Sequence, residues 1–276
     1  MEQNKLATQI RSILLISLFN SMNLKTIVVL FAVLVWMTSC NGPDENAVSN
    51  NPAADGFNQA NSDPAAVELA DSIMVAMGGW KNWQDTRFIS WNFFGFRNLV
   101  WDKHQQLARI ESLRDSITYV VDLKNLSGKV WVKDQVITEP DSLNKMLKKA
   151  KSIWINDSYW LVMPFKLKDT GVTLRYLGED TLMNGDRCNL LQLTFEDVGD
   201  TPQNKYLIYV DLKDNLVKQW AYFSTSTQDS ANFVRPWDSY KKYGKIWLSA
   251  DRSDSSGPRN VSVAQTLNEK LFTDLK

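Results

Sequence analysis

Histidine and cysteine are almost absent from this sequence, with one His and two Cys in 276 residues. That scarcity excludes a disulfide framework and leaves no ligand set for a Cys/His zinc cage. Net charge is absent too: 31 basic residues balance 31 acidic ones. A nucleic-acid binder would show a basic excess, so no nucleic-acid partner is expected. No G-x-S-x-G, H-E-x-x-H, P-loop or G-x-G-x-x-G stretch occurs, which removes the common hydrolase, zincin and nucleotide signatures. The single histidine sits in Asp102-Lys103-His104-Gln105, a predicted surface turn and a poor mount for a general base. Asp211–Asn215 lacks the glycine and terminal glutamate of an EF-hand loop. No catalytic residue, cofactor or metal site is assigned from these residues. What the chain has in quantity is aromatic: 11 Trp, 12 Phe and 8 Tyr, within an ordinary globular balance of 44% hydrophobic and 22% charged residues.

The most specific segment is near the N-terminus. Lys25 precedes the apolar run Thr26–Met37, which ends in Thr38-Ser39-Cys40. A positive residue, about a dozen apolar residues and a small-residue exit form a secretory signal, and the run is shorter than the ~20 residues of a transmembrane helix. Met37-Thr38-Ser39-Cys40 resembles the lipobox of bacterial lipoproteins, with Met in place of the usual Leu. The resemblance implies diacylglyceryl transfer to Cys40 and cleavage before it. Residues 1–39 are then the signal segment, with Met22 as the expected true start. Residues 40–63, rich in Asn, Ala, Pro, Gly, Ser and Asp, are expected to be a disordered tether. The partner implied by Cys40 is a membrane, reached through the lipid.

Residues 64–276 read as one domain without internal repeat. Asp63-Pro64 opens a helix that Gly78-Gly79 stops. From Thr86 the period changes to two, predicting one long aromatic strand through Phe96, a turn at 103–105, and strands over 106–113, 116–123 and 128–136. A helix is predicted over Pro140–Trp154, with Leu143, Met146, Leu147 and Ala150 on one face and Lys145, Lys148, Lys149 and Lys151 on the wet face. That lysine group is either a solvated helix surface or a contact for anionic lipid. Strands follow over 172–177, 187–195, 205–212 and 216–224, around Tyr240, and over 245–250 and 260–266. Cys188, in a strand-like run, is expected to be a small buried hydrophobe. The fold class is mainly β with helices (α+β).

This order of lipobox, tether, helix, four strands, mid-chain helix and meander resembles the lipoprotein-carrier half-barrel of the LolA/LolB class. The likeness covers about residues 64–268 and implies a curved antiparallel sheet, an open half-barrel wrapped around one or two helices. Two local blocks, Trp154–Val172 and Val198–Tyr206, look like segments of uncharacterised outer-membrane lipoproteins. They imply an envelope location, with outer membrane expected and the periplasmic or surface face open.

Two groups of residues are candidates for a site. Asn156-Asp157 and Lys166, Lys168 and Asp169 bracket the apolar run Tyr159–Phe165: either the charges cap or pair within the domain, or the segment borders a pocket mouth and its aromatics touch a ligand. The strand aromatics Trp91, Phe93, Trp131, Trp220 and Tyr222, with Trp160 and Phe165 of the bracketed run, either fill the core or line a pocket for a hydrophobic ligand. Trp160 and Phe165 are both expected to be largely buried. The first functional reading is a non-enzymatic, membrane-anchored lipoprotein that binds or carries a lipid or acylated molecule. The alternatives are an envelope hydrolase with an unrecognised carboxylate site and a purely structural or interaction lipoprotein.

Overall fold

A computed structural model of the chain describes residues 51–196 and 198–275. The signal segment, Met22 and Cys40 lie outside the described residues. Within them the fold is mainly β with three helices, and its antiparallel sheets form an open half-barrel that does not close. Instead of one continuous curved sheet there are a seven-stranded sheet, a five-stranded sheet and a two-stranded hairpin.

Helix α1 spans Pro64–Ala76 and buries Ala66, Leu69, Ala70, Ile73 and Met74 along one face. It stops because Gly78 takes a φ of +112°, and a Cβ there would lie 2.5 Å from the Lys245 carbonyl oxygen. A short helix, α2 (Trp80–Asp85), buries Trp83. Strands β1 (Phe88–Phe93) and β2 (Arg97–Asp102) then form a hairpin. The single long strand expected through Phe96 is therefore cut. Phe94 and Gly95 take φ values of 50° and 76°, and the Asn92 side chain accepts the Gly95 N–H at 2.6 Å. Aromatic alternation runs on through this turn, which is why the pattern hid it.

The meander that follows is regular. Strands β2, β3 (Leu107–Ser112), β4 (Ile117–Asp122) and β5 (Ser127–Val132) begin ten residues apart. Gln106, Ser116 and Leu126 each stand just before a strand at φ between 52° and 57°. Asp102 and Asp122 each accept backbone N–H groups two and three residues on, and Asp211 repeats the device. The sequence shows no repeat because backbone turn geometry carries the period, not side-chain identity. Two-residue β6 (Gln135–Val136) ends this sheet, and β14 (Pro258–Ala264) pairs with β1 at the other edge.

Helix α3 runs from Pro140 to Val162, past the expected end at Trp154. The polar Asn156-Asp157-Ser158 would tend to end a helix in isolation, yet Asp157 is fully buried and Arg97 donates to both its oxygens at 2.7 and 2.9 Å. Pairing removes most of the cost of a buried charge, so the helix continues. Glu139 caps its start by accepting the Asp141 and Ser142 N–H groups. At its end, buried Arg252 donates to the Trp160 carbonyl at 2.6 Å, supplying a partner that helix geometry alone lacks. Burial pushes that guanidinium down to about 10. A 3-10 turn, Met163–Phe165, leads into the second sheet.

The second sheet contains β7 (Val172–Thr181), β8 (Arg187–Phe195), β9 (Lys205–Asp211), β10 (Val217–Phe223) and β11 (Phe233–Pro236), in the order β11-β10-β9-β8-β7. Strand β11 was not anticipated. Strands β12 (Tyr240–Tyr243) and β13 (Ile246–Ser249) form the separate hairpin. Helix α3 lies between the two larger sheets. Trp154 meets Trp101 of the first at 5.1 Å between ring centroids, and Tyr159 meets Tyr206 of the second at 5.4 Å.

The expected tether is corrected over 51–63, which packs on the domain. Phe57 is buried. The N–H groups of Ala54, Asn58 and Asp63 donate to the carbonyls of Lys168, Val172 and Leu174. This polar segment thereby covers the edge of β7, a strand that would otherwise expose unpaired groups. At the other end of the chain, Arg109 donates to the carbonyls of Leu271, Asp274 and Leu275 and holds the C-terminal segment.

Candidate functional site

The principal cleft lies between the C-terminal half of α3 and the five-stranded sheet, and its volume is about 640 Å³. That is within the range of about 300–1,000 Å³ typical of small-molecule sites. Its apolar wall follows from strand alternation. Trp220 and Tyr222 share one face of β10, and pairing places Tyr206 of β9 directly opposite Tyr222. Phe233 of β11 is likewise opposite Tyr222. Phe195 ends β8, and Tyr159 and Trp160 reach over from α3.

These rings form one connected cluster. Tyr206 stacks on Trp220 at 5.4 Å with planes 2° apart, and Trp160 stands edge-on to Trp220 at 4.7 Å. Phe233 meets Tyr222 at 5.1 Å and Trp160 at 5.6 Å. Trp237, buried behind Trp220, makes a further edge contact at 5.2 Å. Offset and edge-on rings hold each other's orientation, so the wall is largely preformed.

The rest of the lining adds apolar Trp154, Ile155, Val172 and Val198 to a polar rim drawn from α3, from Lys166, Asp169 and Thr170 in the link to β7, and from the β8–β9 loop. Lys166 pairs with Asp169. Burial pushes the Tyr206 phenol up to about 12 and raises that of Tyr159 well above its ordinary range. Both are therefore neutral in any physiological medium. Among the described residues, Trp154 Nε1, Tyr159 Oη and Trp220 Nε1 have no hydrogen-bond partner, and neither do Trp91 Nε1 and Trp101 Nε1 in the closed core. Asp157 lies behind this face. Burial raises its carboxyl, and the Arg97 hydrogen bonds oppose that rise.

The seven candidate aromatics separate into two sets. Trp160, Trp220 and Tyr222 line the cleft. Trp91 and Phe93 face the dry core with Ile89, and Phe165 stacks on Trp83 at 4.3 Å in the same core. Trp131 alternates with core residue Val130 and so stands on the opposite face of the first sheet. Of the bracketed run, Phe165 is buried as expected, whereas Trp160 is only half-buried because one side meets the cleft. The bracketing charges do both things considered for them. Asp157 pairs with Arg97, Asp169 with Lys166 and Lys168 with Asp71 at 2.6 Å, while Asn156, Lys166 and Asp169 also border the cleft. Cys188 is fully buried, and burial raises its thiol.

Phe195, Tyr206 and Phe233 were not anticipated as lining residues, whereas Tyr159 belongs to the bracketed run whose aromatics were weighed as ligand contacts. A signal for them existed. Sixteen of the twenty-one lining residues fall within Trp154–Val172 and Val198–Tyr206, so the two blocks singled out in the sequence are the two lips of one cleft. His104 is remote in role: its Nε2 lies 3.0 Å from the Gln84 carbonyl on an exposed turn.

No protein-family model matches the chain, and no curated protein matches it in sequence. Solved structures are similar to it at low identity. A DUF1329 family protein from Desulfovibrio piger is 14% identical with a TM-score of 0.42, over 76% of this chain and 98% of the other. A domain described as an outer membrane lipoprotein-sorting protein, from Vibrio parahaemolyticus, is 10% identical with a TM-score of 0.36, over 75% of this chain and 96% of the other. MucB is 12% identical with a TM-score of 0.27, over 76% of this chain and 62% of its own. At such scores none of the three bears on what this chain binds.

Proposed function

We propose that the protein is a membrane-anchored lipoprotein of the bacterial envelope that holds or passes on a hydrophobic ligand, a lipid or an acylated molecule, without catalysis. The observation that carries this reading is the aromatic wall of Trp160, Tyr206, Trp220, Tyr222 and Phe233 around a cleft of about 640 Å³. A purely structural lipoprotein would fill that space, as the first sheet fills its own with Trp91 and Phe93. Burying an acyl chain contributes about 0.8 kcal/mol per methylene. A chain of a dozen carbons thus supplies enough for micromolar binding, about 8 kcal/mol. The lipobox-like Met37-Thr38-Ser39-Cys40 supports the anchor and the envelope location, and among the described residues no helix is long and apolar enough to cross a membrane.

Two experiments test the reading. Titration of the full chain with a fluorescent fatty-acyl probe should give saturable micromolar binding, weakened about tenfold by Tyr222→Ala; the absence of saturation sinks the carrier. Cys40→Ser should abolish acylation and move the protein out of the membrane fraction. A variant that stays membrane-bound without lipid would overturn the anchor.

A further inference from the structure

The N-terminal half of α3 carries Lys145, Lys148, Lys149 and Lys151 within two turns. Lys145, Lys148 and Lys149 are exposed and Lys151 is half-buried. No acidic residue occurs in the helix between Asp141 and Asp157. Among the described residues there are eleven ion pairs, and none involves these four lysines. Like charges three and four residues apart repel one another on a helix, so the arrangement weakens α3 where nothing compensates it.

The position of the group gives it a use. Residues 145, 149, 152, 156 and 159 follow at alternating spacings of four and three, which traces one stripe along a helix, and Lys148, four residues before Ser152, flanks that stripe. Ser152, Asn156 and Tyr159 of that stripe line the cleft. The same face of α3 therefore begins in uncompensated cations and ends in the aromatic wall. From Lys149 to Tyr159 the helix rises about 15 Å at about 1.5 Å per residue, a distance that an extended acyl chain can bridge. Of the carboxylates that line the cleft, Asp169 is already neutralised by Lys166.

We propose that the ligand is an anionic amphiphile: its apolar part occupies the cleft, and its carboxylate or phosphate head rests on Lys148 and Lys149. This rests on the cleft being a ligand site, and the experiment separates the two claims. The full chain is titrated with a fluorescent polyene fatty acid and with the methyl ester of the same acid, and then repeated with a Lys148→Gln/Lys149→Gln variant. Both positions are exposed and Gln preserves helix propensity, so the fold should persist. The acid should bind more tightly than the ester, and the double variant should lose about tenfold for the acid while leaving the ester unchanged. The preference for the acid should also shrink as salt is raised.

Several results would overturn the proposal. Equal losses for acid and ester, or no loss for the acid, would remove the lysines from head-group recognition. Displacement of the acid by inorganic phosphate alone would assign a free-anion site instead. A variant that no longer sediments with acidic phospholipid vesicles, yet binds the acid as before, would assign the lysines to the membrane surface. Failure of both probes to bind the unmodified chain would refute the cleft reading itself.

Discussion

The two larger sheets are built from the same kind of residue and put it to different ends. The seven-stranded sheet turns Trp91, Phe93 and Trp101 toward α3 and closes over them. The five-stranded sheet turns Tyr206, Trp220 and Tyr222 toward the other side of the same helix and leaves a cleft of about 640 Å³. The difference is geometric. Against the first sheet, α3 presents Asp157, which Arg97 draws in through two hydrogen bonds, and Trp154, which stands edge-on to Trp101. Against the second, Tyr159 and Trp160 make ring contacts near the end of the helix, and the β8–β9 loop forms the far lip. Aromatic content by itself does not distinguish a packed core from a binding wall; the approach of the covering helix does.

That contrast can be broken by mutation. The largest effects belong on the closed side. Trp91→Ala should cost about 3–5 kcal/mol in denaturant titration and leave the affinity of the remaining folded protein for an acyl probe unchanged. Lost binding with intact stability would place Trp91 in the site and erase the distinction. Arg97→Met should cost a similar ~3–5 kcal/mol at neutral pH, because it leaves Asp157 charged, buried and unpaired. Without Arg97 the carboxyl should titrate still higher, so the neutral form accounts for more of the folded state in acid. The deficit should accordingly be smaller at pH 4 than at pH 7, and a deficit that does not change with pH would mean that Asp157 contributes through shape alone.

On the open side the balance should invert. Tyr222 and Phe233 are only half-buried, so Tyr222→Ala or Phe233→Ala should cost about 1 kcal/mol of stability. The same variants should weaken probe binding about tenfold, since ring truncation removes wall area from the ligand. A stability loss as large as that of Trp91→Ala would show the cleft to be ordinary core.

The smallest effect concerns Lys103, whose ammonium lies 4.0 Å from the centre of the Trp83 ring. Burial, assisted by the charge of Lys166, lowers this amine to about 8 from an ordinary 10.5. Between those two values the unfolded chain binds the proton more readily than the folded one, so stability should rise as pH increases from about 8 to about 10.5. Lys103→Met should abolish that rise. A denaturant midpoint with the same pH slope in both proteins would assign the slope to other groups.

Much of this could be read without coordinates. Alternation located the strands because a half-buried sheet imposes a period of two, and the 3.6-residue pattern located α1 and the first part of α3. Errors arose where a distant residue overrode a local signal, or where a local turn kept the alternation of a strand. Asn156-Asp157-Ser158 resembles a helix end until Arg97, from a strand 60 residues earlier, neutralises the aspartate. Residues 51–63 have the composition of a tether until the bare edge of β7 supplies partners for their backbone. Phe94-Gly95-Phe96 keeps the strand alternation while its backbone turns.

The sequence by itself determined the strand content of the chain, the face each aromatic takes on its own strand, and the lysine stripe of α3. Those properties depend on neighbours within a few residues. Tertiary structure alone decided that Trp220 and Tyr222 border a cleft while Trp91 and Phe93 do not. Alternation states which side chains share a face but carries no information about how closely another element approaches that face. That separation is set by α3, wedged between two sheets whose strands lie far apart in the chain.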